Sequence, residues 1–223
     1  MRVLIAAGGT AGHINPALAI AGALKAADPA AEIHFAGRKE GMEYGLVTKA
    51  GYPFHHIEIN GFQRKPTLKN VGRNVVALYH LALSGPRTAA ILKEVRPDLV
   101  IGCGGYVSGP LVRQAAKMGI PTLTHEQNAF PGVTTKLLSK YVDCVMLAVP
   151  EAKKYLNQNA SYVVTGNPVR EAFFTADRKA VRKHRQRGFV KTQPLLFDVR
   201  WKFRRAASQR SNGGIDCPQS EQP

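Results

Sequence analysis

A run of glycines ending in a histidine, directly behind an apolar strand, holds the first residues of this chain whose types and spacing can do chemistry. Gly8-Gly9-Thr10-Ala11-Gly12-His13 follows Arg2–Ala7. Glycine lets a backbone come close to a ligand, and a turn running from a buried strand into a helix presents free N–H groups backed by the positive end of the helix dipole. That arrangement suits a diphosphate or a sugar. The same glycines also serve a tight strand-to-helix turn for steric reasons alone, and the loop by itself does not separate the two. His13 stands at the mouth of the loop, either as an imidazole that takes a proton from a hydroxyl or as a hydrogen-bonded structural residue. Two familiar chemistries fall away. The loop lacks the G-x-G-x-x-G spacing, and the second strand ends Ala36-Gly37-Arg38-Lys39 without the acid that grips a nicotinamide ribose. No Gly-Lys-Ser/Thr follows, so it is not a Walker A phosphate loop.

Such a loop needs a sheet behind it. Arg2–Ala7 is short, β-branched and apolar throughout, as expected of a strand buried on both faces of a parallel sheet. Asn15 and Pro16 read as the cap and first residue of a helix that runs through Ala17–Ala27 to the stop at Asp28-Pro29. Further strands are expected at Glu32–Ala36, His56–Ile59, Leu99–Gly102, Thr122–His125, Cys144–Ala148 and Tyr162–Thr165. Helices fit at Met42–Ala50, Val75–Val95, Pro110–Met118 and Thr134–Lys140. Strands alternating with helices predict an α/β fold, a Rossmann-like, doubly wound parallel sheet.

The 223 residues are 44% hydrophobic and 21% charged, a globular composition. Three widely spaced cysteines without metal-ligand spacing, and no apolar run long enough to span a bilayer, point to a cytosolic protein. The net charge of +16 is unevenly placed. Residues 1–170 hold 19 Lys+Arg against 10 Asp+Glu, and residues 171–223 hold 12 against 5. A polyanionic partner is therefore weighed: nucleic acid, anionic lipid or a phosphorylated substrate. Between Arg178 and Arg210 a single acid, Asp198, stands among the cations, and periodic apolar spacing fades. This reads as a disordered basic tail, and no nucleic-acid-binding signature accompanies the charge.

Four motifs, each behind an expected strand, then form a set. Gly8–His13 is followed by Gly104-Gly105-Tyr106-Val107-Ser108-Gly109-Pro110, by His125-Glu126-Gln127-Asn128, and by Gly166-Asn167-Pro168-Val169-Arg170. In this order they resemble the MurG family of peptidoglycan glycosyltransferases, over about residues 1–180. The resemblance implies the N-terminal, acceptor-binding half of a GT-B enzyme over residues 1–175, with 176–223 as the basic tail. It implies an inverting transfer of N-acetylglucosamine from UDP-GlcNAc to lipid I, giving lipid II, without metal or cofactor, by a peripheral protein on the cytoplasmic face of the membrane.

Residue by residue, the resemblance lays Thr10, Ala11 and Gly12 against the donor and the acceptor diphosphate, with Ala11 where the family pattern has glycine. It makes His13 the candidate general base. Gly104, Gly105, Tyr106 and Ser108 match a second loop that cradles the acceptor diphosphate. Glu126 and Asn128 match the loop after the fifth strand, Glu126 as a candidate catalytic residue beside His13 and Asn128 as a donor-binding position. Arg170 matches an arginine that meets the donor. Each has a plainer alternative: Arg170 as a local surface cation, Asn128 as a turn former before Pro131-Gly132, Glu126 either as a tuner of His13 or as a loop acceptor. Arg64, Lys65, Lys69, Arg73 and Arg87 flank the apolar run Val75–Leu83, which suits either an anionic bilayer surface or packing on the sheet.

The sequence departs from the family pattern after Phe173, where the glycine-rich opening of a donor domain is expected and the chain turns basic and aperiodic around His184–Phe189. A shift of reading frame would produce such a change. Without a donor wall the chain is expected to transfer sugar very poorly by itself. Two alternatives are carried: a non-catalytic acceptor- or membrane-binding basic module, and a nucleotide-sugar epimerase of similar architecture, which fits Gly104–Pro110 and His125–Asn128 poorly.

Overall fold

The computed structural model describes residues 1–59 and 84–170. The basic and apolar stretch between Gln63 and Leu83, and the tail from residue 176, lie outside the described residues. Seven strands form one sheet: β1 (Arg2–Ala6), β2 (Glu32–Gly37), β3 (Phe54–His56), β4 (Leu99–Gly102), β5 (Thr122–Glu126), β6 (Cys144–Leu147) and β7 (Tyr162–Val164). Their order across the sheet is β3-β2-β1-β4-β5-β6-β7, and every pairing is parallel.

Side chains alternate between two cores, one on each face. Val3, Ile5, Phe35, Ile101 and Met146 pack on one side with Ile14, Ala17, Ala21 and Leu24 of α1 (Ala11–Ala27) and Val47 of α2 (Met42–Lys49). Leu4, Ala6, Val100, Val145 and Leu147 pack on the other with Leu92 and Val95 from a helix over 84–95 (α3). Leu111, Val112 and Ala115 of α4 (Ser108–Lys117) and Leu138 of α5 (Val133–Leu138) complete that second core. This is why β1 and β4 are apolar at every position from Val3 to Ala6 and Leu99 to Ile101: both faces are covered. The chain winds from β1 outward to β3 and then crosses back to place β4 on the other side of β1. The loops after β1 and β4 diverge there, and that switch point is where open α/β sheets bind ligands.

Among the described residues, strand and helix positions follow the sequence expectations to within a few residues, apart from the start of the first helix; the expected helix Val75–Val95 lies outside them before residue 84. The first helix begins at Ala11, five residues before Pro16, and its cap is Thr10. The Asn15-Pro16 pair imitates a helix start but sits inside the helix. Pro16 removes the bond that Gly12 would have accepted, and its buried ring packs in the core instead. Gly12 and His13 therefore belong to the first helical turn. Ala11 is the first helical residue, so the freedom a glycine would give there is not used. The third strand also lies earlier than expected, at Phe54–His56, while Ile57 and Ile59 are buried beyond its end.

β5 carries buried polar side chains where an apolar strand would be ordinary: Thr122, Thr124, His125 and Glu126. Each is satisfied. Thr124 donates to the Gly102 carbonyl at 3.1 Å. His125, fully buried, donates from Nε2 to the Gly166 carbonyl at 3.1 Å and accepts at Nδ1 from the Gln127 amide at 3.0 Å, which sets its neutral tautomer. The bond to Gly166 ties the chain leaving β7 back to the middle of the sheet.

Burial holds the His125 imidazole below its ordinary value of 6.5, against the opposing pull of the Gly166 carbonyl and Glu126. The folded chain then refuses a proton that the unfolded chain accepts, so stability is full above about pH 7 and falls as pH drops through 6.5 toward the lowered folded value. Urea midpoints are expected to fall between pH 7.5 and 5.5, and to fall less in His125→Gln. An equal fall in that variant would assign the effect elsewhere, with His34, shifted the same way chiefly by burial, the next group to replace. Burial also pushes the Cys103 thiol up to about 12. Iodoacetamide at pH 8, followed by peptide mapping, should leave Cys103 unmodified in the folded chain and label it in urea.

Candidate functional site

The site is built where the loops after β1, β4 and β5 meet at the carboxyl edge of the sheet. The first two press backbone against backbone. A Cβ on Gly105 would come within 2.9 Å of the Gly8 carbonyl carbon, too close for any side chain. Gly104 and Gly105 also lie at φ +101 and +84, the left-handed region that side chains resist. Glycine is required at both positions, for closeness and for conformation.

His13 lies across this junction. Its Nδ1 is 3.0 Å from the Gly8 carbonyl, so the ring donates there and Nε2 keeps its lone pair. The ring edge rests over the second loop: a Cβ on Gly104 would be 2.6 Å from Cδ2 and 2.9 Å from Nε2. One nitrogen is thus anchored to the first glycine loop while the other faces the second. His13 is half-buried, and Gly9, Thr10 and Gly12 around it are exposed. The N–H groups of Ala11 and Gly12 open α1, where a helix has no partners of its own to offer them.

Ser108 is fully buried rather than turned to the mouth. Its hydroxyl lies 2.8 Å from the Ala6 carbonyl and 2.7 Å from the Gly104 carbonyl, so it joins the end of β1 to the second glycine loop. Tyr106, in the same loop, is exposed.

Glu126, at the end of β5, is buried and both carboxylate oxygens are engaged by its own loop. Oε1 accepts from the Asn128 backbone N–H at 3.0 Å and its side-chain amide at 2.9 Å, and Oε2 accepts from the Gly132 N–H at 3.1 Å. Of the two roles open to Glu126, the loop acceptor is the one these bonds describe. They hold Asn128 at the exposed end of the strand. Gln127 joins this loop to the second glycine loop by donating to the Cys103 carbonyl at 2.9 Å. Arg170 is exposed, four residues beyond the Gly166 carbonyl that His125 holds.

The structure therefore brings Gly8, Gly104, Gly105 and His13 together, with Ser108 beneath them, and sets Asn128 on a neighbouring loop. Sequence reasoning passes over buried His125 and its half-buried partner Gln127 as site builders, and it passes over Glu43, a buried carboxylate on α2 that reaches the first loop. A polar run ending an otherwise apolar strand is the available signal for the first two; nothing local marks the third.

Residues 3–147 match the model of the glycosyltransferase family 28 N-terminal domain. A UDP-N-acetylglucosamine--N-acetylmuramyl-(pentapeptide) pyrophosphoryl-undecaprenol N-acetylglucosamine transferase of Ruminiclostridium cellulolyticum is 46% identical over 196 residues, covering 88% of this chain and 52% of that protein. Among solved structures, Acinetobacter baumannii MurG superposes with a TM-score of 0.61 at 30% identity, over 76% of this chain and 46% of the other. A putative UDP-N-acetylglucosamine 2-epimerase of Listeria monocytogenes superposes at 0.54 over 74% of this chain and 44% of its own, but at 15% identity, a likeness of fold alone. The chain spans about half the length of the curated relatives it matches. With more than half of its residues under that family model, the chain belongs to the glycosyltransferase family 28 N-terminal domain.

Proposed function

We propose that the chain is the acceptor-binding half of a peptidoglycan glycosyltransferase, which moves N-acetylglucosamine from UDP-GlcNAc to lipid I to form lipid II. The carrying observation is the backbone contact between the two glycine loops with His13 laid across it. Amides with no side chains in front of them, next to a helix N-terminus, suit the pyrophosphate of a lipid-linked acceptor. In this reading Gly104, Gly105 and Tyr106 line the diphosphate cradle, and Ser108 supports it from below.

The Nε2 of His13 takes the proton from the acceptor hydroxyl as that oxygen attacks the anomeric carbon, and UDP departs from the opposite face with inversion. Thr10, Ala11 and Gly12 lie against the donor and the acceptor diphosphate, and Asn128 borders the donor. Arg170 supplies a forked cation for donor phosphate. Glu126 acts through the loop it holds.

Residues 1–175 are read as the domain that does this work, at the cytoplasmic face of the membrane. Among the described residues no helix is long and apolar enough to cross a bilayer. Contact with an anionic surface is supported by exposed Phe130, Val133 and Leu137 beside Lys136, whose ammonium lies 4.3 Å from the Phe130 ring centroid. That helix packs next to the start of α4, beside the second glycine loop. Arg87, one of the cations expected to flank a membrane-facing run, is paired with Glu58 at 2.7 Å.

The 223 residues in isolation are expected to bind lipid I in detergent and to transfer radiolabelled sugar from UDP-GlcNAc only slowly, because attack geometry needs both walls of the cleft. His13→Ala should keep the binding and abolish the remaining transfer. Full transfer by the variant would remove His13 as base, and no lipid I binding by either chain would overturn the acceptor assignment. Gly105→Ala should weaken lipid I binding about tenfold or more, since its methyl group would drive the two loops apart; unchanged affinity would show that the cradle lies elsewhere.

A further inference from the structure

Glu43 is a carboxylate with 1% of its surface exposed, in the first turn of α2. Charged groups are buried at such depth only when their bonding is satisfied. Among the described residues none of the ion pairs includes it. Its partners are backbone amides from two loops: Oε1 accepts from the Arg38 N–H at 3.0 Å, behind β2, and Oε2 accepts from the Gly9 N–H at 3.3 Å, in the first glycine loop.

Three glycines make room for it. A Cβ on Gly8 would stand 2.7 Å from Oε1, a Cβ on Gly37 would stand 2.7 Å from Cγ, and one on Gly41 would overlap Oε2. The α2 N-terminus contributes its positive dipole end. Part of the glycine content of the first loop therefore accommodates this side chain.

Gly8 and Gly9 matter for the site because His13 is anchored on the Gly8 carbonyl and Gly105 rests against Gly8. We infer that Glu43 is a positioning residue, whose buried carboxylate pins the first glycine loop so that His13 and the second glycine loop meet in register. The inference rests on the reading of those loops as a diphosphate cradle. Neutral glutamine at this position offers one acceptor and one donor where two acceptors are needed, so one of the two amides loses its bond.

The test uses the whole chain, with inorganic pyrophosphate as the probe, titrated by calorimetry and followed by amide and imidazole NMR signals. Glu43→Gln should raise the pyrophosphate dissociation constant about tenfold or more, and in the free protein should shift the Gly9 amide and the His13 ring resonances. Val47→Ala, which loosens the same helix from the core without touching the loop, should lower the melting temperature while leaving affinity and the His13 signals as they are.

Glu43→Gln with unchanged affinity and unchanged Gly9 and His13 signals would overturn the inference, as would an equal effect in Val47→Ala. Should Glu43→Gln fail to fold, Glu43→Asp takes its place, since it keeps the charge but is one methylene too short to reach both amides. The same titration and the same resonances then support or overturn the inference. If the wild-type chain does not bind pyrophosphate, the cradle reading fails on that result alone. The Gly9 and His13 signals then still decide whether Glu43 holds the loop.

Discussion

The closeness of two backbones governs this site. Gly105 lies so near Gly8 that neither loop can move or acquire a side chain without displacing the other. That contact exists because β1 and β4 are neighbours in a parallel sheet whose winding reverses between them. The loops after two adjacent strands at a reversal point run in different directions, and the crevice they leave is lined by main chain. Three side chains tie those loops to their surroundings: Ser108 below, Gln127 from the β5 side and Glu43 from α2.

Buried polar side chains do much of that holding. The sheet is apolar through β1 and β4, yet β5 ends in His125 and Glu126, both fully withdrawn from water and both bonded to main chain. An unsatisfied group at such depth would cost a few kcal/mol, so each of these residues specifies one arrangement of its loop and penalises the others. His125 reaches Gly166, Gln127 reaches Cys103, and Glu126 closes the turn to Gly132. Rigid loops matter where a ligand must be held by amides, because main chain that rearranges on binding spends part of the interaction in ordering itself.

The positive charge has a double character. Arg2 is bonded to Glu32 at 2.7 Å and Arg87 to Glu58, pairs that stitch strand ends and helix together on the surface. Lys136, in contrast, lies over the Phe130 ring on a face where Val133 and Leu137 are exposed. In the proposed function, a cation held over an aromatic ring beside bare apolar side chains suits anionic headgroups.

The amino-acid order determined the fold class, because strands that are apolar throughout can only be buried on both faces, and their alternation with helices leaves few windings. It also displayed Gly8–His13 and Gly104–Pro110 as turns behind strands, since glycine runs interrupt apolar ones in a recognisable way. The start of α1 is hidden from such reading because Asn15-Pro16 is a sound local cap signal that burial of the Pro16 ring overrides. Tertiary structure alone decided which turns touch. Gly8 and Gly105 are far apart in the chain, and a glycine that avoids a clash looks the same in sequence as one that only makes a turn. The same holds for Glu43: an acid in the first turn of a helix is ordinary, and only the folding of β1 and β2 side by side closes Gly8, Gly37 and Gly41 around its carboxylate.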